Sequence, residues 1–147
     1  MKVVLQKVKE AQVQVDSKTV GMISNGFLLL VGITHADTEK EADWLLEKIL
    51  KLRLFSKSQK TFMENTILES GGQLLVVSQF TLYGDVKKGT RPSFTHAAPP
   101  EHAEKLYTYF VERAKEKISV QTGIFGTHME VSLINDGPIT LILDTQE

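Results

Sequence analysis

The chain has 147 residues, 41% hydrophobic and 24% charged, a composition typical of one globular domain covering residues 1–147. It contains no cysteine, which excludes disulfides, thiolate zinc sites and a cysteine nucleophile. With 17 basic residues against 18 acidic ones the net charge is −1, which argues against a strongly basic nucleic-acid-binding domain.

The first part of the chain predicts strands. Alternating apolar residues indicate two early strands, at residues 3–8 and 13–15. Asn25-Gly26 then precedes the apolar run 27–33 and predicts a hairpin, because both residues tolerate positive φ. The run itself is apolar on both faces, which is typical of a central strand.

Two helices follow from capping and spacing. Thr38 and Glu41 form a capping box that begins the first helix, and the second helix starts after Pro99-Pro100. Residues recurring at helical spacing should be buried. They are Ala42, Leu45, Leu46, Ile49 and Leu50 in the first helix, and Ala103, Leu106, Tyr107, Phe110 and Ala114 in the second.

The remaining elements are strands. One covers residues 73–80 after a Gly71-Gly72 turn, and residues 129–134 and 139–143 give two more, joined by a turn between them. Strands interrupted by two main helices predict an α+β domain, with a curved antiparallel-rich sheet or barrel covered by the helices.

No segment predicts export or a membrane span. The N-terminal alternation lacks the apolar core of a signal peptide. The longest apolar stretch, residues 27–31, is far shorter than the roughly 20 residues that span a bilayer. We therefore expect a cytoplasmic protein that does not contact membranes.

The usual catalytic motifs are missing. The four histidines, His35, His96, His102 and His128, show no metal-binding spacing, and His102 is expected to be a solvated residue on a helix. The chain has no G-x-S-x-G, no GxGxxG and no P-loop, so triad hydrolases, dinucleotide enzymes and kinases lose their usual signatures. We expect neither a metal nor a cofactor.

Ser78-Gln79-Phe80-Thr81 is the first segment with chemical potential. It follows the apolar strand 74–77, and its hydroxyl, amide and backbone N–H groups could line a site and polarise a carbonyl. The alternative is that these side chains only satisfy local backbone groups at a strand end.

The second such segment contains Gly137-Pro138. Proline removes a ladder donor, and glycine permits close approach of a ligand. A cis bond would point both carbonyl oxygens the same way into a pocket, whereas a simple turn would explain the same residues.

The third is a basic loop containing Lys87, Lys88 and Arg91, with Phe94 beside it. Such a loop could contact phosphates or stack a base. A solvated loop is the alternative.

Together these segments resemble D-aminoacyl-tRNA deacylase over nearly the whole chain. The resemblance is most specific at residues 78–82, 88–94 and 135–140. It implies a homodimer, with the active site at the subunit interface, that hydrolyses the ester between a D-amino acid and the terminal ribose of tRNA. It also implies removal of glycine mischarged on tRNA for alanine.

The resemblance implies roles for individual residues. Gly137-Pro138 would be the family's Gly–cis-Pro motif, inserted into the partner's active site to exclude L-amino acids. The residues expected to line the pocket are Ser78, Gln79, Phe80, Thr81, Phe125 and Met129, and those expected to contact tRNA are Lys87, Lys88 and Arg91. Thr127-His128 departs from the family's pattern, so its effect on selectivity stays open.

An aminoacyl ester is already activated, so positioning and a backbone oxyanion hole near Gln79 and Phe80 could supply much of the rate. In the family the ribose 2′-hydroxyl is thought to assist. Two alternatives stay open: Thr81 as a covalent nucleophile, and a non-catalytic nucleic-acid-binding module on the same scaffold.

Overall fold

A computed structural model describes residues 1–147. Its strands are β1 (Lys2–Val15), β2 (Lys18–Ile23), β3 (Gly26–Gly32), β4 (Arg53–Phe55), β5 (Asn65–Thr66), β6 (Gln73–Ser78), β7 (Val120–Thr122) and β8 (Glu130–Asp144). Its helices are α1 (Glu39–Lys51), α2 (Ile67–Ser70) and α3 (Pro100–Lys115), and a 3₁₀ turn covers Phe80–Tyr83.

The two early strands predicted from the sequence are one strand, β1, so that prediction is wrong. Its buried side chains change parity along the strand, from Val3 and Leu5 to Val8 and then to Ala11 and Val13. The ladder to β8 shifts register at the same places, between residues 6 and 8 and between 8 and 10. Irregular pairing of this kind interrupts the alternation without ending the strand.

The hairpin predicted at Asn25-Gly26 is also wrong. The chain reverses at Asp16 and Ser17, whose φ angles of 50° and 62° suit a two-residue hairpin loop. Strands β2 and β3 then pair with successive segments of β1 rather than with each other. Gly26 is needed for close approach instead, because a Cβ there would lie 2.7 Å from Gln73 N.

The main sheet has the order β2-β1-β3-β6-β7, with β8 paired to β1. The β3–β6 and β6–β7 pairs are parallel and the other pairs are antiparallel. The sheet curls until β2 approaches β7, where a Cβ on Gly21 would lie 3.1 Å from the Thr122 carbonyl carbon. The expected α+β fold with a curved sheet is therefore confirmed.

Two apolar clusters explain why β3 and β6 are apolar on both faces. One face, with Leu29 and Val76, joins α1 and α3 in the larger cluster, and the opposite face, with Leu28 and Leu75, joins a smaller cluster within the curl. Helix α1 begins where the sequence predicts, α3 begins one residue earlier, at Pro100, and every residue predicted to be buried in the two helices is buried. None of the helices has the length and apolar character needed to span a bilayer.

The C-terminal strand β8 replaces the two strands predicted there. It runs antiparallel to β1 on both sides of residues 136–139, which leave the ladder between Asn135 and Thr140. The Asn135 side-chain amide donates to the backbone oxygens of Lys7, at 2.9 Å, and Ile139, at 3.1 Å. The Gly137–Pro138 bond within this bulge is cis. The segment is therefore a bulge in one strand rather than a turn between two.

Candidate active site

Strands β3 and β6 end side by side and place the first candidate segment. Ser78 pairs with Val31, and the Gln79 N–H donates to the Val31 carbonyl at 2.8 Å. The chain then leaves the sheet and enters the 3₁₀ turn. The strand therefore ends at Ser78, two residues earlier than predicted, and residues 78–80 lie beside the first turn of α3.

A cavity of about 450 Å³ lies at this point. Of the residues predicted to line a pocket, it includes Ser78, Gln79, Phe80 and Phe125. The other lining residues are Val31, Ile33, Phe94, Ala97, Ala98, Pro99, Pro100, Ala103 and Gly126. None of these thirteen residues carries a titratable side chain, so no lining side chain can act as a general acid or base.

Sequence reasoning missed the wall opposite β6. Phe94, assigned to the basic loop, packs edge-on against Phe80 with ring centroids 5.3 Å apart. Pro99-Pro100 predicts only a helix start, and the sequence-based predictions do not include Ala97 and Ala98. Small and rigid side chains leave room beside a helix N-terminus, and a run of two alanines and two prolines is the pattern that indicates such a space.

The Phe125 ring is held in place by a neighbouring side chain of α3. Its ring packs on Tyr107 of α3 with centroids 5.9 Å apart, and the Tyr107 hydroxyl donates to the Val76 carbonyl at 2.8 Å. Burial raises the pKa of Tyr107 to about 12, so this hydroxyl stays protonated. The cavity floor is thus anchored to both α3 and β6.

Thr81 is exposed and does not line the cavity. Its hydroxyl oxygen accepts a hydrogen bond from the Gln79 side-chain amide at 2.5 Å. A carboxamide does not take up a proton at neutral pH, so Gln79 cannot activate Thr81 as a nucleophile. The geometry gives Thr81 no general base.

The backbone donors differ from the expected pair. The Gln79 N–H is already bonded to Val31, so it is not free to stabilise an oxyanion. The first N–H groups of a helical turn have no partner within that turn, and here they belong to Phe80 and Thr81. The available donors therefore lie one residue further along the chain.

Gly137 and Pro138 are exposed and do not line the cavity of their own chain. Two components separate the bulge in β8 from Ser78. Across the sheet, β1 and β3 lie between β8 and β6. Along β6, Ser78 lies four residues beyond Leu74, the residue in register with the bulge. At about 4.8 Å per strand and 3.3 Å per residue, the separation is on the order of 20 Å. One chain therefore does not bring the two motifs together.

Met129 also lies away from the cavity. It is half-buried against the smaller apolar cluster, and its sulfur lies close to Gly123. Within a single chain it supports the inner side of the curled sheet rather than the pocket.

The basic loop projects into solvent next to the cavity. Asp85 and Ser93 close its base with backbone hydrogen bonds of 2.7 and 2.9 Å, and Phe94 follows directly. Lys87, Lys88 and Arg91 are exposed and form no salt bridge. Their charges are free to meet phosphates close to the mouth of the cavity.

His102 is not a solvated residue, contrary to the prediction. It is half-buried on α3, and its Nε2 lies 2.9 Å from the Asp37 backbone oxygen. No three His, Asp or Glu side chains in the chain are grouped as a metal site requires.

A second concavity, of about 530 Å³, is lined mainly by residues of β1, β2 and β8. Its lining includes Glu10, Met22 and Ile134 but no residue of the three candidate segments. The smaller cavity is lined by Ser78, Gln79 and Phe80 of the first segment and by Phe94 at the end of the basic loop, so it is the candidate active site.

Comparisons with known proteins identify the family of the chain. A family model described as D-Tyr-tRNA(Tyr) deacylase matches residues 4–144. A protein named D-aminoacyl-tRNA deacylase from Kosmotoga olearia is 53% identical over 147 residues, covering 100% of this chain and 99% of the relative. One of the same name from Bacillus cereus is 53% identical over 147 residues, covering 99% of this chain and 100% of the relative.

Two solved structures share the fold. One, described as c-Myc DNA Unwinding Element Binding Protein, has a TM-score of 0.92 and 36% identity and covers 99% of both chains. Another, described as a probable eukaryotic D-amino acid tRNA deacylase, has a TM-score of 0.83 over 97% of both chains, and its 17% identity shows the fold alone. Because the family model spans nearly the whole chain and both named relatives align with it from end to end, the chain belongs to the D-Tyr-tRNA(Tyr) deacylase family.

Proposed function

We propose that this protein hydrolyses the ester that joins a D-amino acid to the terminal ribose of tRNA. The observation that carries the proposal is the cavity itself, which is lined by three residues of one of the most specific segments of the family resemblance, Ser78, Gln79 and Phe80, and by no titratable side chain. An aminoacyl ester suits such a site because it is already activated. The names of the relatives support the same reaction.

In this reaction the oxygen of water bonds to the ester carbonyl carbon, the bond from that carbon to the ribose oxygen breaks, and the ribose oxygen takes up a proton. The N–H groups of Phe80 and Thr81 stabilise the negative charge that develops on the carbonyl oxygen. The neighbouring ribose 2′-hydroxyl assists proton transfer, since no lining side chain can do so. Thr81 supports the site without acting as a nucleophile.

We infer that chirality is read across a homodimer. Gly137 and Pro138 are exposed and far from their own cavity, so they reach a cavity only in a second copy. Exposed apolar side chains support such an interface: Met22 is 61%, Ile134 50% and Ile142 76% exposed. Strand β8 also pairs with β1 alone, which leaves its outer edge free.

Backbone carbonyls around the α-carbon would reject an L side chain and leave a D side chain pointing outward. Such a site admits many side chains and also glycine, including glycine mischarged on tRNA for alanine. Lys87, Lys88 and Arg91 would contact the tRNA backbone. A protein that acts on tRNA in this way would work in the cytoplasm.

The first experiment compares D-Tyr-tRNA and L-Tyr-tRNA as substrates. We expect loss of the D ester and survival of the L ester. If both esters survive a stoichiometric amount of protein, the proposed activity is wrong.

The second experiment tests Gly137 and the dimer together. A Cβ on Gly137 would meet only Asn135 Oδ1, at 3.8 Å, so Gly137→Ala should fold normally and yet impair hydrolysis. Phe80→Ala should impair the cavity. Because each mixed dimer retains one intact composite site, mixing the two variants should restore about a quarter of the wild-type rate. No restoration, or a Gly137→Ala variant with wild-type rate and selectivity, would refute the shared site.

A nucleic-acid-binding role without catalysis is the second candidate. One solved structure at 36% identity is named for binding a DNA unwinding element. Salt-dependent binding of uncharged DNA without any deacylation would favour this role. Hydrolysis at catalytic protein concentrations would favour the enzyme.

A further inference from the structure

Asp37 lies at the centre of a buried polar network outside the cavity. Its side chain is almost fully buried, and Oδ1 accepts a hydrogen bond from the Met1 ammonium group at 2.6 Å. Its Oδ2 accepts from the Thr34 N–H at 2.8 Å. A buried carboxylate with both oxygens engaged holds its partners in one arrangement, because any displacement leaves a buried charge without a partner.

Thr34 connects the Asp37 carboxylate to the wall of the cavity. Its hydroxyl donates to the His96 carbonyl at 2.5 Å, and Thr34 forms an isolated antiparallel bridge with Ala97. The Ala98 N–H donates to the Ile33 carbonyl at 2.9 Å. Ile33, Ala97 and Ala98 all line the cavity.

A second connection runs to α3. The His102 ring bonds to the backbone oxygen of Asp37, and Ala103, the next residue, lines the cavity. Asp37 is therefore linked to the wall from two sides, through the end of β3 and through the first turn of α3. It does not itself line the cavity.

We propose that Asp37 is a positioning residue for the hydrolysis, and that it acts through Thr34 and His102 on the wall formed by Ile33, Ala97 and Ala98. This inference rests on the proposed function, since it requires the reaction to occur in this cavity. The rate of such a site depends on how the wall positions the substrate, because the site has no acid or base. A displacement of about 1 Å can lower the rate about 100-fold.

The test uses Thr34 because Asp37 variants leave the Met1 ammonium group buried and unpaired. Thr34→Val removes the hydroxyl and keeps the backbone N–H that binds Asp37, whereas Thr34→Ser retains the hydroxyl. Thr38→Ala is the matched control: Thr38 caps α1 with a hydroxyl that accepts from the Lys40 N–H, four residues from Thr34 and away from the cavity. All three are compared with the wild type on D-Tyr-tRNA, with kcat and KM measured separately per folded molecule.

We expect Thr34→Val to lower kcat by about 10-fold or more. Thr34→Ser should retain the wild-type kcat, and so should Thr38→Ala even though it lowers the melting temperature. Equal kcat values for Thr34→Val and Thr38→Ala would overturn the proposal, because a purely structural role predicts equal effects.

His102 gives a second measurement that does not depend on the Thr34 variants. Gln can place its Nε2 where the ring nitrogen lies, so His102→Gln should keep the bond to Asp37 and His102→Leu should lose it. We expect His102→Leu alone to lower kcat, and wild-type kcat in both variants would overturn the role of α3. If Phe80→Ala abolishes activity while the Thr34 and His102 variants keep the wild-type kcat, the positioning role is refuted and the proposed function stands. If the wild type is inactive, the proposed function fails.

Discussion

Replacing Gly26 with alanine should destabilise this protein far more than replacing its neighbour Asn25. A Cβ on Gly26 would lie 2.7 Å from Gln73 N and closer still to Gln73 O, well inside the ~3.5 Å of ordinary contact. Strands β3 and β6 would have to separate by about 1 Å or more at this end, beyond what a hydrogen bond tolerates.

The expected loss follows from the contacts at that point. The Gln73 N–H donates to the Asn25 carbonyl at 3.1 Å, and the Ser24 N–H donates to Gln73 Oε1 at 3.3 Å. Two hydrogen bonds contribute about 1 kcal/mol each, and overpacking costs about 1–3 kcal/mol more. Gly26→Ala should therefore lower the free energy of unfolding by about 3–5 kcal/mol, which corresponds to a fall in Tm of about 10–20 °C.

Asn25→Ala is the control that separates two explanations of the same dipeptide. In a tight hairpin both residues would need positive φ, and alanine at Asn25 would cost about 1–2 kcal/mol. In the structure neither residue has positive φ and Asn25 is exposed, so Asn25→Ala should change the free energy of unfolding by no more than about 0.5 kcal/mol. Urea unfolding followed by circular dichroism at pH 7 measures both. Losses of similar size, or a loss below about 1 kcal/mol for Gly26→Ala, would refute the close-approach explanation.

Two further outcomes can be measured. The free energy of unfolding should fall as pH rises from 10 towards 12, because burial raises the pKa of Tyr107 to about 12 and its phenol therefore ionises first in the unfolded chain. Tyr107→Phe should lower the free energy of unfolding by about 1 kcal/mol at pH 7 and weaken that alkaline decline, both measured by urea titration. Replacing Lys87, Lys88 or Arg91 with Gln should leave Tm unchanged and reduce the slope of log affinity for tRNA against log salt concentration by about 1 per lost phosphate contact. An unchanged slope would show that the tRNA binds elsewhere.

The helices were predictable because their determinants are local. The capping box at Thr38 and Glu41 forms as predicted, and proline occupies the first position of α3. The residues at helical spacing are buried for the same reason: one turn of helix places them on one face whatever that face packs against. The polar groups that follow an apolar run likewise directed attention to Ser78, Gln79 and Phe80, which line the candidate cavity.

The sheet was not predictable in the same way. Alternation indicates which face of a strand is buried but not which strand pairs with it, so Asn25-Gly26 suggested a hairpin that the chain makes at Asp16 and Ser17 instead. The bulge at Gly137-Pro138 suggested a turn between two strands for the same reason. Pairing depends on contacts between residues far apart in the chain, such as Val8 with Asn135.

The sequence by itself determined the fold class, the helices, the motifs that carry the family resemblance and the absence of the usual catalytic motifs. Only the tertiary structure decided what surrounds those motifs: it placed Phe94 and Ala97 opposite Ser78, engaged the Gln79 N–H with Val31, and tied His102 to Asp37. The physical reason is range, because helix caps and turns depend on residues within a few positions of each other, whereas a cavity is formed by segments that meet only when the sheet curls and α3 packs against it.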